Sequence, residues 1–172
     1  MNAISDRGFK PLNWSMLVMF VLGFWLSGSL ILDLVIIPSL SAAGMMTQTG
    51  FASAGYLIFG IFNRIELLCA ALVLTGFLAL RNRHYFLNFD SSKELWSIVL
   101  SGLLVTIPLI YTYVLTPQMS SLGLSLNLFE TTRTMSAAMI SMHEGYWFLE
   151  VIKFLVGATL LRWCYRNSCS LT

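Results

Sequence analysis

Charge is what this chain has least of. Only 10% of its 172 residues are Asp, Glu, Lys or Arg, against about 25% in a soluble globular domain. Cysteine and histidine are also scarce, with three of the first and two of the second. Cys69 falls inside an apolar run, and Cys164 and Cys169 lie near the C-terminal end. Three such cysteines make no disulfide framework, and their spacing is too little for a zinc site. No G-x-S-x-G elbow, H-E-x-x-H pair or glycine-rich phosphate loop occurs, so no enzyme class is indicated. A net charge of +2 without a basic patch offers nucleic acid nothing to bind.

What the chain has in place of charge is long apolar runs. Hydrophobic residues make up 57% of it, and the runs at about Leu12–Ile37, Tyr56–Leu80, Leu95–Thr116 and Thr134–Leu161 meet the roughly 18-residue threshold for a membrane helix. The expected fold is therefore all-α: a single integral membrane four-helix bundle, with the lipid bilayer as its main partner. The first run follows Arg7 and Lys10, as in a signal peptide, but exceeds the roughly 7–15 residues of a signal core and reads as an uncleaved anchor. Leu40-Ser41-Ala42-Ala43 is a weak cleavage-like site beyond it.

The few charges are unevenly placed. Arg7 and Lys10 precede the first run, Arg81, Arg83 and Lys93 lie between the second and third, and Arg162 and Arg166 follow the fourth. The Ser39–Gly55 connection carries none, and the connection after the third run has only Glu130 and Arg133. The positive-inside rule then puts both termini in the cytoplasm, in a bacterial inner membrane or another energy-converting membrane. Trp14, Trp96 and Trp163 fit the inner aromatic belt, and Tyr56 and Tyr113 the outer one.

The two halves resemble each other. Leu30 to Pro38 can be laid on Leu109 to Pro117, and Ser41 and Gly44 then fall on Ser120 and Gly123; Gly76 and Arg81 fall on Gly157 and Arg162 after a two-residue slip. Each unit would be one helical hairpin, giving a parallel repeat of two hairpins in tandem. Pro38 and Pro117 are expected to end outward-running helices, since proline lacks the N–H and clashes with the preceding turn. Pro108 predicts a kink. Ser91 and Ser92 are cap candidates for the third helix, with Glu94 in its first turn.

Phe24-Trp25-Leu26-Ser27-Gly28, Asp33 to Pro38, and Phe59-Gly60-Ile61-Phe62-Asn63-Arg64 resemble a bacterial family of small four-helix membrane proteins of unknown function. Met142-His143-Glu144 is similar to that family's late histidine after an apolar stretch. The family is distantly similar to copper-resistance D-type proteins and to eukaryotic transmembrane protein 205. The resemblance implies a four-helix fold and, by analogy of fold alone, copper.

Charge inside the membrane is costly, so its position is the main functional clue. Counting a rise of 1.5 Å per residue from Arg81 and Arg162 puts Glu66 about 22 Å, Arg64 about 25 Å, Glu150 about 18 Å, and His143 and Glu144 about 27–28 Å from the inner face. Asp33 falls at the outer boundary. Asp33, Asn63, Arg64, Glu66, His143 and Glu144 are thus expected in the outer third of a core about 30 Å thick, with Glu150 deeper and Lys153 at mid-depth. Asn63 and Glu66 share a helical face from which Arg64 points away, and Lys153 is three residues from Glu150.

Two readings follow. In one, Asp33, Asn63, Arg64, Glu66, His143, Glu144 and Glu150 form a polar pocket for an ion, proton or small polar ligand. In the other they are internal ion pairs, Asp33 or Glu144 neutralising Arg64 and Glu150 neutralising Lys153. A copper version of the pocket uses Met135, Met139, Met142 and His143, which recur on one helical side and combine soft thioethers with an imidazole, ligands that suit Cu(I); the same spacing is also an ordinary apolar stripe. Haem is disfavoured, since His84, the only other histidine, belongs to the opposite end, leaving His–Met ligation alone. Gly23 and Ser27 form a small-x-x-x-small pair suited to close helix approach within the bundle, in a homo-oligomer or against a partner. The functions in competition are transport or metal handling at the polar pocket, and an accessory or assembly subunit whose charges are purely structural.

Overall fold

The computed structural model describes residues 13–45, 51–84, 91–129 and 137–169. All secondary structure among them is helical: α1 (Trp14–Ile31), α2 (Ile37–Ala42), α3 (Phe51–His84), α4 (Ser91–Ile110), α5 (Thr116–Phe129) and α6 (Ala137–Cys169). Five-residue π-helical turns, Leu32–Ile36 and Tyr111–Leu115, join α1 to α2 and α4 to α5. The described residues therefore form four continuous rods. Asn13 caps the first, its side chain accepting the Met16 N–H at 3.4 Å. Gly44, at a φ of 69°, lets the chain turn away after α2 in a left-handed conformation that residues with a Cβ avoid.

The prolines do not end the rods. In the first, the helix continues through Pro38 to Ala42, and in the third it continues through Pro117 to Phe129. The π turns supply the reason. A proline ring clashes with the carbonyl four residues back and has no N–H to give it; widening the preceding turn removes that carbonyl from the ring's path. The last π donors are the residues just before the prolines, Ile37 to Leu32 O and Thr116 to Tyr111 O. The expected loops at Ser39–Gly55 and after Thr116 thus shrink, because helix occupies residues 39–42, 51–55 and 117–129. Pro108 lies within α4, one turn before the second π turn.

Each of the first and third rods packs against both α3 and α6. The order of contacts shows that α1 runs antiparallel to each. Val18 meets Gly76 and Gly28 meets Phe62 on α3, while Leu26 meets Gly157 on α6. A Cβ at Gly76 would stand 2.2 Å from Val18 Cγ2, and one at Gly157 would stand 2.8 Å from Leu26 Cδ2, so both glycines mark close approaches. Below the middle of the rods, Val18, Leu22, Val73, Leu104 and Leu160 form a fully buried apolar core with Cys69, Phe77 and Cys164.

The surface is more apolar than the centre. Phe20 (72% exposed), Phe148 (68%) and Leu68 (67%) face outward, while Ser29, Asp33, Asn63, Glu66, Ser101, Glu150 and Lys153 are buried. A water-soluble domain does the reverse with its ionisable residues. Three rods are long and apolar enough to cross a membrane, over Trp14–Ala42, Ser53–Asn82 and Leu95–Leu122. The fourth apolar run expected from the sequence is a long helix but is not among them; Glu144, Glu150, Lys153 and Arg162 all lie on α6.

Candidate functional site

A polar centre is assembled from three of the rods. Trp25, Ser29 and Asp33 recur at four-residue spacing along the first rod, which keeps them on one face. Glu66 faces them from α3, and Tyr146, Glu150 and Lys153 line one side of α6. Ser29, Glu66 and Lys153 lie close to the midpoints of Trp14–Ala42, Ser53–Asn82 and Ala137–Cys169. The centre is thus near the middle of these rods. Glu66 was expected in the outer third. The helices extend past Pro38 and begin at Phe51, so their midpoints lie nearer that end than the expected boundaries put them.

Lys153 is the hub. Its Nζ donates to Glu66 Oε1 and to Glu150 Oε1, each at 2.6 Å, and to Ser29 Oγ at 3.0 Å. These use all three protons of an ammonium. The two carboxylate contacts are shorter than the usual 2.9–3.0 Å of a neutral N–H···O bond, as expected between full charges. Glu66 Oε1 also accepts Trp25 Nε1–H at 2.8 Å and the Ser29 hydroxyl at 3.0 Å. The ammonium lies 5.6 Å from the centre of the Tyr111 ring and 5.7 Å from that of Phe154, close enough for cation–π attraction.

Asp33 sits in the first π turn, where Leu32 and Asp33 are both buried. Its Oδ1 accepts the Tyr146 hydroxyl at 2.8 Å, and the Tyr111 hydroxyl donates to the Tyr146 backbone carbonyl at 3.4 Å. Glu150 lies one helical turn beyond Tyr146 on α6, and Lys153 joins it to Ser29, one turn before Asp33, so the two carboxylates are neighbours. Yet Asp33 Oδ2 and Glu150 Oε2 are both buried without a partner, as is Thr112 Oγ1. Three carboxylates against one ammonium leave a formal excess of two negative charges when all are ionised. An uncompensated buried charge costs several kcal/mol.

The residues singled out by sequence separate into two groups. Asp33, Glu66 and Glu150 come together at this centre. Asn63 is buried a turn away, its Nδ2 donating to Thr116 Oγ1 at 2.8 Å. Arg64 and Glu144 are exposed; of the two partners expected for Arg64, Asp33 and Glu144, Asp33 accepts from Tyr146 instead. His143 is half-buried, with Nδ1 2.9 Å from the Met139 carbonyl of its own helix. Met139 is buried, Met142 is half-buried and Met135 lies outside the described residues. Among the described residues, no three His, Cys, Asp or Glu side chains gather in a group that could hold a metal ion.

Sequence reasoning left Trp25, Ser29, Tyr111, Tyr146 and Lys153 out of the pocket. A signal was available in the four-residue spacing of Trp25, Ser29 and Asp33 and in the stripe of Tyr146, Glu150, Lys153 and Gly157. A crevice of about 80 Å³ between α1 and α3, lined by Phe24, Gly28, Phe62 and Ile65, reaches Trp25 and Glu66 from the side. Its walls are otherwise apolar.

No family model, no curated protein and no solved structure matches the chain.

Proposed function

We propose that the protein is a membrane-spanning four-helix bundle that handles a small monovalent cation, the proton included, at the centre formed by Asp33, Glu66, Glu150 and Lys153. One observation carries this reading: an interior site with three carboxylates, one ammonium and two unpartnered carboxylate oxygens. A purely structural ion pair needs one carboxylate per ammonium. The surplus carboxylates are unfavourable unless a cation compensates them, and ionisable groups within membranes mark ion and proton pathways. Lys153 and Glu66 form the fixed pair, buttressed by Trp25 and Ser29, while Asp33 and Glu150 hold the cation.

Access in this reading comes from one end. Toward Ala42 the centre continues into polar groups, the Tyr146 hydroxyl and the Asn63–Thr116 pair. Toward Trp14 it meets the apolar core of Val18, Leu22, Val73, Leu104 and Leu160. The exposed Arg81, Arg162 and Arg166 lie at the Trp14 end, so the positive-inside rule orients that end to the cytoplasm and opens the centre to the outer side. The tandem-hairpin repeat belongs to the same proposal. The π turns Leu32–Ile36 and Tyr111–Leu115 fall on each other in the alignment that pairs Pro38 with Pro117.

The test is flux in liposomes that trap a pH-sensitive dye and carry an imposed pH or sodium gradient. Wild type is expected to dissipate one of these gradients, and Glu150→Gln to lose that activity while accumulating normally. Wild-type liposomes no leakier than protein-free ones would refute the proposal.

A second reading, an accessory subunit or homo-oligomer, draws on the small-residue face of α1. A Cβ at Gly23 would meet nothing within 4 Å, and Ser27 is exposed, so this face is not used for packing inside the chain. Gly23→Leu is then expected to lower co-purification of a partner or the oligomer mass without affecting the fold. An unchanged complex would remove this reading.

A further inference from the structure

We infer that a single proton bridges Asp33 Oδ2 and Glu150 Oε2 at the centre of the bundle. This deepens the ion-handling proposal and rests on it for its functional meaning. Asp33 and Glu150 are only 4% and 1% exposed, and each leaves its second oxygen unpartnered. Hydrogen bonds make them neighbours: Asp33 accepts from Tyr146, one helical turn before Glu150, and Lys153 joins Glu150 to Ser29, one turn before Asp33. Ionised carboxylates only accept hydrogen bonds, so two of them cannot satisfy each other unless one carries a proton.

The surrounding groups do not supply that proton's role. On α6, the Lys153 ammonium is saturated by Glu66, Glu150 and Ser29, and the Tyr146 hydroxyl is committed to Asp33 Oδ1. The Tyr111 hydroxyl, from the second π turn, is directed to a backbone carbonyl. On α3, Glu66 is itself an acceptor of three donors, and the Cys69 thiol is one turn further toward the apolar core. The Thr112 hydroxyl, buried without a partner, has one proton to donate and could satisfy one carboxylate oxygen at most, so a further donor must come from outside the chain. A hard metal cation takes six or more oxygen ligands, and the unpartnered carboxylate oxygens number two. One proton satisfies both at once. It also lowers the formal excess from two negative charges to one, which the Tyr146 hydroxyl and Lys153 ammonium then face from either side.

The experiment is infrared spectroscopy of the full chain in detergent at neutral pH, in H2O and D2O, with thermal unfolding in sodium chloride against choline chloride. Asp33→Asn and Glu150→Gln each replace the proton with an amide N–H at the same place, so both are expected to fold. Wild type should show a protonated-carboxyl carbonyl band that shifts in D2O; both variants should lose it, and Glu66→Gln should keep it. A band retained in Asp33→Asn and Glu150→Gln would overturn the inference by placing the proton elsewhere. No band, with sodium stabilising wild type but not Asp33→Asn, would overturn it in favour of a metal cation and leave the ion-handling proposal standing. No band and no sodium response would overturn both. The band without flux in the liposome assay would support the proton and sink the transport reading, making it a fixed structural proton.

Discussion

Replacing Lys153 by Met keeps most of the side chain's length and apolar stem but deletes the ammonium. Glu66 and Glu150 lose contacts of 2.6 Å, and Ser29 loses one of 3.0 Å. These losses are not additive, since the three partners share one donor group. Removing one member of a buried ion pair costs about 3–5 kcal/mol. A protein of this size shifts its midpoint by about 2–4 °C per kcal/mol, so the expected fall is roughly 6–20 °C. The buried thiols of Cys69 and Cys164 provide the assay, because a thiol-reactive fluorophore reaches them as the rods separate. The geometry also predicts which second change rescues. When the ammonium goes, Glu66 still has Trp25 and Ser29 as donors, whereas Glu150 has none beyond the proton it shares with Asp33. Lys153→Met/Glu150→Gln should therefore recover more of the lost midpoint than Lys153→Met/Glu66→Gln. A fall below ~1 kcal/mol for the single variant would refute the hub role of Lys153, and equal rescue by both glutamines would refute the division of labour between the carboxylates.

Trp25→Phe removes the 2.8 Å indole donor from Glu66 while keeping an aromatic ring, and is expected to cost about 1.5–3 kcal/mol in the same thermal assay; no change would mean the indole bond adds nothing. Gly76→Ala should destabilise by about 1–3 kcal/mol, because the new Cβ meets the stiff β-branched Val18. Gly157→Ala should cost less, because Leu26 can turn its terminal methyls aside; the reverse order would refute the packing argument. Elemental analysis of protein purified without chelator is expected to show no stoichiometric copper, and copper that disappeared in His143→Ala and Met139→Leu would move the function to the methionine-rich end of α6.

The rods were legible because the apolar runs behind them are longer than any soluble core helix requires. Their ends were not, because a proline is read as a stop when the turn before it is an ordinary α turn. At Pro38 and Pro117 the turn is widened instead, and nothing in single-residue propensity signals that. The early ends also set the expected depths: they were counted to helix boundaries that the rods in fact run past. Methionines and a histidine on one side of α6 resemble a ligand set, yet Met139 turns into the interior and His143 lies against its carbonyl. Lys153 was visible as a mid-membrane charge, but only the packing of α6 against both the first rod and α3 shows that it meets two carboxylates at once.

The π turns connect the proposed repeat to the asymmetry of the site. Aligned on their prolines, the two turns place Leu32 on Tyr111 and Asp33 on Thr112. The first members of both are buried, so each turn directs its opening residues inward. A widened turn adds one residue to the helical circuit, which brings two neighbouring side chains toward the interior where a regular helix would favour one. In the first half those positions hold a leucine and a carboxylate; in the second they hold a tyrosine and a hydroxyl. If the halves arose by duplication, the same backbone device serves two ends: one copy supplies the acid, and the other supplies Tyr111, whose ring lies beside Lys153 and whose hydroxyl donates to the Tyr146 backbone carbonyl. A polar centre built this way has a single Asp33 in place of a symmetric pair. That is why one ammonium and one shared proton come so near to balancing it.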